Sequence, residues 1–159
     1  MVVVVLTMMG NGATSTTTLA IPILENTNLP RLFNLKKLII KSCNLLQHVF
    51  TFSMLESLRQ LEELMIKGCK SMKVIVKEEI GEQSKVVVFP RLRFLVLKDL
   101  PNLEGFFLGM NDFQWLLLEK VMIDDCPQMM VFTSGQSTAT ELKYTRLNLD
   151  QLSQVIISF

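Results

Sequence analysis

The chain has 159 residues, of which 49% are hydrophobic, so it is long enough to bury one sizeable core and is expected to form a single domain. Its 16 basic and 15 acidic side chains leave a formal net charge of +1, which removes the electrostatic argument for binding nucleic acid or an anionic membrane surface. Three cysteines without a C-x-x-C pair, and the absence of an N-x-S/T sequon, favour a reducing compartment over secretion.

The first segment of the chain, MVVVVLTMMG, is apolar up to Gly10. It is much shorter than the roughly 20 apolar residues of a transmembrane helix, and it lacks the basic start of a secretory signal. We predict a buried strand in an incomplete first coil. The following GNGATSTTT, residues 10–18, has no lysine at the spacing of a phosphate-binding loop and is expected to be a flexible turn. Residues 1–31 are assigned to a degenerate N-terminal repeat or a flexible segment.

From Leu35 onward the chain repeats one pattern of apolar residues, L-x-x-L-x-[IL]-x-x-C-x-x-[LM]. Repeats of about 20 to 29 residues with this kind of spacing are typical of leucine-rich-repeat solenoids, in which each coil covers the apolar flank of its neighbour. The aligned columns are Leu35, Leu61, Leu92, Leu118 and Leu142; Leu38, Leu64, Leu95 and Val121; Ile40, Ile66, Leu97, Ile123 and Leu147; Cys43, Cys69, Leu100 and Cys126; Leu46, Met72, Leu103 and Met129; and Val49, Ile75, Phe106 and Phe132.

Inward and outward residues alternate at the start of each repeat, which is the period of a strand with one buried face. Stacked repeats then place parallel strands side by side. We predict an α/β leucine-rich-repeat solenoid, a horseshoe with a parallel concave sheet and a mostly irregular convex side. The repeat domain is assigned to residues 32–150, with about four or five repeats, and residues 151–159 to an apolar C-terminal tail.

Two segments between the predicted strands carry local signals. In SMLESLRQL, residues 53–61, Ser53 and Glu56 have capping-box spacing, which predicts a short convex-side helix before the strand at Leu61. The polar insertion KEEIGEQSK, residues 77–85, is expected to be a projecting loop. The simplest interpretation of that loop is a solvated insertion without a partner.

The outward positions of the predicted strands form two columns of interest. One alternates in sign at every step, so its neighbours are expected to attract one another and help to fix the strand register. The other is apolar, and exposed apolar area with adaptable methionines favours contact with a protein partner, although part of it could serve only cross-strand packing. The alternating column is Lys36, Glu62, Arg93, Glu119 and Lys143; the candidate binding residues are Ile39, Met65, Val96 and Met122 with the flanking Lys41, Lys67, Lys98 and Asp124.

No recognised motif for catalysis, cofactor binding or metal binding is present. The three cysteines are too widely spaced for zinc and lack paired His or Cys ligands, so we interpret them as small buried turn residues, with Leu100 as the apolar substitute. No motif places a nucleophile or a carboxylate beside His48, the single histidine. We expect a protein that is not an enzyme and that has no cofactor.

Three stretches resemble the C-terminal leucine-rich repeats of plant intracellular nucleotide-binding disease-resistance proteins, especially the subgroup with an N-terminal coiled coil: LEELMIKGCKSMKVIV, VVFPRLRFLVLKDLPNLEGF and LEKVMIDDCPQMMVF. The resemblance covers about residues 32–144. It implies a cytoplasmic protein of plant innate immunity whose repeats bind a pathogen effector or a guarded host protein, or restrain a nucleotide-binding domain. Since this chain holds neither a nucleotide-binding nor a coiled-coil domain, the resemblance implies a receptor fragment, to which ATP binding does not carry over.

Two other functions stay open. The substrate-binding repeats of F-box-type ubiquitin ligase adaptors also contain cysteine at the turn, but they usually continue with a polar segment and a glycine before a regular helix, unlike LLQHVFTFS and MMVFTSGQS here. The other alternative is a non-functional remnant. The L-x-G-x-[IL]-P units of extracellular receptor repeats are absent.

Overall fold

The computed structural model describes residues 2–7, 32–81 and 85–147, and within these ranges the chain forms a parallel β-solenoid of about four turns. Two short 3-10 helices, Leu32–Asn34 and Phe52–Ser57, accompany the strands. In chain order the strands are β1 (Val2–Thr7), β2 (Leu35–Lys41), β3 (Phe50–Thr51), β4 (Glu63–Lys67), β5 (Val76–Lys77), β6 (Val87–Phe89), β7 (Phe94–Lys98), β8 (Phe113–Trp115), β9 (Lys120–Asp124), β10 (Ser137–Thr138) and β11 (Tyr144–Leu147).

The strands form three parallel sheets, because each coil repeats the path of the preceding coil. The largest has six strands in the order β1-β2-β4-β7-β9-β11, the second has the order β10-β8-β6, and the third pairs β3 with β5. The predicted solenoid with a parallel sheet is therefore confirmed. The helical part of the predicted α/β class is not found, since the described residues contain no α-helix. Short apolar segments between the main strands pair with their counterparts in the next coil instead.

The N-terminal segment adds a strand to the large sheet. Val2–Thr7 forms β1 and pairs in parallel with β2, so the strand predicted for this stretch is present. The side chains of β1 lie outside the described part of the chain, and so does the predicted burial of this strand. The turn predicted at residues 10–18 and the apolar tail at 151–159 also lie outside the described residues. The division into segments 1–31, 32–150 and 151–159 stays a prediction.

The short helix predicted in SMLESLRQL exists, but it differs from the prediction in type and in its cap. Phe52–Ser57 is a 3-10 helix whose N-cap is Thr51, so Ser53 lies inside the helix rather than at its start. The Leu58 N–H donates to the Leu55 carbonyl at 3.1 Å, a three-residue spacing that marks the tighter turn. The Ser53 N–H donates to Oε2 of Glu79 at 2.6 Å, so the polar insertion supplies the acceptor at this helix start.

The polar insertion itself is described on both sides of residues 82–84. Lys77 ends β5, Ile80 is fully exposed, and Gly81 has a φ of +92°. Exposure of this isoleucine agrees with a loop at the protein surface. The described parts of residues 77–85 thus behave as the predicted loop.

The solenoid interior is lined by the repeated apolar columns. Leu38, Leu64, Leu95 and Val121 are all buried, and their strands pair Leu38 with Leu64, Leu64 with Leu95, and Leu95 with Val121. Each coil therefore covers the apolar flank of the preceding coil, as the repeat predicts. The column that contains cysteine is buried as well, including Leu100.

The turn after each main strand explains the cysteines. The residue before the cysteine column has a left-handed backbone, with φ between 53° and 66° at Ser42, Gly68, Asp99 and Asp125. This turn lets the thiol of Cys43 donate to the Lys41 carbonyl at 3.4 Å, and the same contact recurs in two other coils. A thiol is small, tolerates burial and has one weak donor for the last carbonyl of the strand.

An aromatic cluster fills the interior opposite the large sheet. The Phe106 ring lies 5.2 Å from the centroid of Trp115 and 5.3 Å from that of Phe132, and the Trp115 ring stacks on Phe89 at 4.8 Å. The indole Nε1–H of Trp115 donates to Oγ of Ser137 at 3.3 Å, so its polar atom is satisfied despite burial. The core is therefore built from aliphatic columns on the sheet side and from aromatic rings on the other.

Gly135 sits where two segments approach closely, so a side chain there has no room. A Cβ at this position would lie 2.1 Å from the carbonyl oxygen of Asn111. Because the obstacle is backbone, we expect Gly135→Ala to lower the free energy of unfolding by about 1–3 kcal/mol, measured by urea denaturation. The control is Gln136→Ala at the adjacent exposed residue, which should change the free energy of unfolding only slightly. Equal stability of the two variants would contradict the close approach.

Candidate protein-binding surface

The candidate binding residues come together on the outward face of the large sheet. Ile39 pairs with Met65, Met65 with Val96, and Val96 with Met122, so the four side chains occupy one position in four successive strands. All four are half-buried, whereas the residues on either side of each in its strand point into the core. We call these four residues the apolar stripe. Each of its side chains keeps part of its surface exposed, so the stripe is accessible to a partner.

The charged border of the apolar stripe is paired within the protein. Lys98 Nζ lies 2.5 Å from Asp124 Oδ2, and Lys67 Nζ lies 3.8 Å from Asp99 Oδ2, while Lys41 is exposed at the other end. The hydrogen bond from Lys98 lowers the pKa of Asp124, and the reciprocal contact raises the pKa of Lys98. The border that the sequence presents as largely basic is thus partly neutralised where strands β7 and β9 meet.

The alternating column forms the predicted ion pairs at or just before the start of the main strands. Lys36 Nζ lies 3.1 Å from Glu62 Oε1, and the Arg93 guanidinium lies 2.6 Å from Glu119 Oε1. Lys143 Nζ lies 3.8 Å from the second oxygen of Glu119. Backbone bonds such as Glu62 N–H to the Lys36 carbonyl at 2.7 Å hold these residues side by side. The column acts as a structural ladder, because opposite charges meet in register.

The column that borders the apolar stripe on its other side was not predicted from the sequence. Lys37 pairs with Glu63 by an ion pair, and Phe94 occupies the equivalent position in the next strand, beside Val96. The Phe94 ring is half-buried, and the Arg93 guanidinium carbon lies 5.5 Å from its centroid. An aromatic residue at a position that holds charges in neighbouring repeats was the available signal. Phe94 widens the apolar surface around Val96.

The ion pair between Arg93 and Glu119 makes a pH-dependent prediction. The hydrogen bond from Arg93 lowers the pKa of Glu119. A lowered carboxyl pKa stabilises the fold above the unfolded value of about 4.3, and this stabilisation is lost as the pH falls through the folded pKa. We expect NMR titration to give a Glu119 pKa below that unfolded value and Arg93→Ala to raise it. The control is Arg91→Ala, at a nearby exposed residue, which should leave the Glu119 pKa unchanged. A Glu119 pKa that Arg93→Ala also leaves unchanged would rule out the pairing.

The three cysteines, Cys43, Cys69 and Cys126, are buried and form no disulfide, and burial raises the pKa of Cys126 to about 12. The hydrogen bond with Cys43 raises the pKa of Cys69, which keeps that thiol protonated. Within residues 2–7, 32–81 and 85–147, no group of three His, Cys, Asp or Glu side chains is placed to hold a metal ion. None of the helices in these ranges is long and apolar enough to cross a membrane.

Parallel coils with buried leucine columns, cysteine turns and an outward sheet face define a leucine-rich-repeat solenoid. More specifically, the chain belongs to the leucine-rich repeats of the plant disease resistance protein RPS2-like family, whose model matches residues 22–154. Repeats of this kind are generally non-enzymatic interaction modules. No solved structure gives a significant match to the chain.

Proposed function

We propose that the chain is a protein-binding repeat module of plant disease resistance, acting in the cytoplasm. Its outward sheet surface binds a pathogen effector or a guarded host protein, or contacts a nucleotide-binding domain and restrains it. The observation that carries the proposal is the apolar stripe, in which Ile39, Met65, Val96 and Met122 keep partial exposure at equivalent positions of four strands. Family membership supports the same class of function and favours it over an F-box adaptor.

The chemistry of this surface suits a protein partner. Methionine at two of the four stripe positions gives a surface that can repack against different shapes. The paired charges on both borders form a polar rim, and such rims contribute orientation and specificity more than raw affinity. We expect the sheet to lie on the concave side of a horseshoe, where curvature would surround the partner.

A charge placed in the apolar stripe tests the proposal. Val96→Asp should weaken binding to the recombinant nucleotide-binding domain of an RPS2-like receptor, or to an effector or host protein captured by crosslinking at Val96, by about tenfold or more. Met130→Asp is the matched control, because Met130 is exposed outside this surface. Binding can be measured by titration calorimetry after circular dichroism has shown that both variants are folded. A folded Val96→Asp variant with unchanged affinity for every such partner would exclude this surface.

A further inference from the structure

Among the residues that the structure describes, no strand pairs with the outer edge of β6. This strand is the last strand of the sheet ordered β10-β8-β6. Toward β8, the Val87 N–H donates to the Asp112 carbonyl at 2.8 Å and the Phe89 carbonyl accepts from the Leu116 N–H at 3.2 Å. Because alternate residues of a strand direct their backbone groups to opposite sides, the N–H and C=O of Val88 face away from β8. An open strand edge is a template for another extended segment.

The preceding coil does not close this edge, because it carries a 3-10 helix where the later coils carry β6, β8 and β10. Phe52–Ser57 turns back on itself over three-residue spacings, as in the bond from the Leu58 N–H to the Leu55 carbonyl, and none of its backbone groups pairs with Val88. A groove with a volume of about 440 Å³ separates the helix from β6. Its size falls in the range of ligand-binding clefts, about 300–1,000 Å³. Its lining includes Phe52, Leu55, Glu56, Arg59, Val86 and Val88.

The lining defines the chemistry of an occupant. Phe52 and Leu55 line the helix side but are each only 5% exposed, so the open apolar surface is mainly on the strand side, where Val86 and Val88 are 52% and 42% exposed. Exposed β-branched residues on an edge strand favour an extended aliphatic segment over a polar small molecule. The open edge thus supplies hydrogen bonds, and the walls supply apolar contact.

The charges of the groove favour an acidic group on that segment. Glu56 and Lys85 form a weak ion pair across the groove, with Oε1 and Nζ 3.9 Å apart. Arg59 is exposed, and no ion pair joins it to another residue in the described ranges. A carboxylate on the occupant would therefore find a cation at Arg59 without displacing an existing partner there.

We propose that β6 accepts an extended segment of a protein partner as an added β-strand. The segment has aliphatic side chains that pack beside Val86 and Val88, and a carboxylate that pairs with Arg59. The three residues of β6 limit the ladder to a short segment, so this is an auxiliary contact that works beside a larger interface. It lies apart from the apolar stripe and does not depend on the function proposed for that surface.

The test uses the whole chain and a synthetic probe, acetyl-Glu-Val-Thr-Val-Thr-Val-amide. Titration into ¹⁵N-labelled protein should shift the amide resonance of Val88 and slow its hydrogen exchange, since the added strand accepts this N–H. Two further peptides carry N-methyl groups on odd or on even amides. Only every second amide of an added strand faces β6, so one of the two N-methylated peptides should bind about tenfold more weakly or worse. Both N-methylated peptides binding as well as the parent would overturn the proposal, as would an unprotected Val88 amide at saturation.

Protein variants test the charge separately. Arg59→Glu should weaken binding of the probe by about two- to fivefold, because the peptide carboxylate then meets a like charge. Arg91→Glu is the matched control: Arg91 is exposed and lies outside the groove lining, so its charge reversal should leave the affinity in place. Equal loss in both variants would show that net charge, rather than Arg59, governs binding, and would overturn the assigned role of Arg59.

Discussion

Replacing Phe106 with alanine is expected to lower the free energy of unfolding by about 3–5 kcal/mol. The Phe106 ring is fully buried and lies at the centre of the aromatic cluster, within 5.3 Å of the Trp115 and Phe132 ring centroids. Removal of the ring leaves a cavity between coils, since the neighbouring rings are held by their own packing. Urea denaturation followed by circular dichroism measures the loss.

A second phenylalanine provides a control of the same chemistry. Phe33 is 54% exposed in the first 3-10 helix, so Phe33→Ala should change the free energy of unfolding by less than about 0.5 kcal/mol. The comparison separates ring burial from the mere loss of a phenylalanine. If Phe106→Ala and Phe33→Ala were equally stable, the aromatic cluster would not be the packed core that the distances indicate.

Substitution of two adjacent residues of β4 should lower the stability by very different amounts. Leu64→Ala is expected to cost about 2–5 kcal/mol of stability, because Leu64 is buried between Leu38 and Leu95. Met65→Ala should cost less than about 1 kcal/mol, because Met65 belongs to the half-exposed apolar stripe. Thermal or urea denaturation measures both.

The same pair separates folding from function. We expect Met65→Ala to retain the fold while weakening binding at the proposed protein-binding surface, whereas Leu64→Ala should lose stability first. Comparable destabilisation by both substitutions would show that β4 does not have one buried and one open face. Loss of binding only in Leu64→Ala would point to an indirect effect of unfolding.

The outward sheet face combines internally paired charges with unpaired apolar area. Ion pairs such as Lys37–Glu63 and Lys98–Asp124 join neighbouring coils on the two borders. Exposed pairs contribute little to stability, but like charges in the same positions would repel and shift the register. Between the borders lies the apolar stripe, whose partial exposure is the reason that we propose it as the binding surface.

The sequence predicted the parts of the fold that repeat. The columns of Leu38 and Ile40 follow from period-two alternation inside a longer repeat, and the structure buries them in coil after coil. The pairing of Lys36 with Glu62 was predictable for the same reason, since parallel stacking places equivalent residues side by side. The positions of the candidate stripe residues followed from the same register.

Features that depend on one coil only were not predictable. Thr51 rather than Ser53 caps the helix, and Trp115 joins the aromatic cluster, because the return segments differ in length and packing from coil to coil. The pairing of Lys67 with Asp99 joins different columns, so the repeat gave no signal for it. The groove beside β6 exists because the coil with Phe52–Ser57 has a 3-10 helix where the later described coils have a strand.

By itself the amino-acid sequence determined the solenoid, the inward columns and the alternating charges, because these depend on periodicity, and periodicity is a property of the chain alone. Tertiary structure decided which border lysines are paired, which rings meet in the core and where a strand edge stays open. Those outcomes depend on distances between segments whose spacing follows no repeat, and only the folded coil brings such segments together.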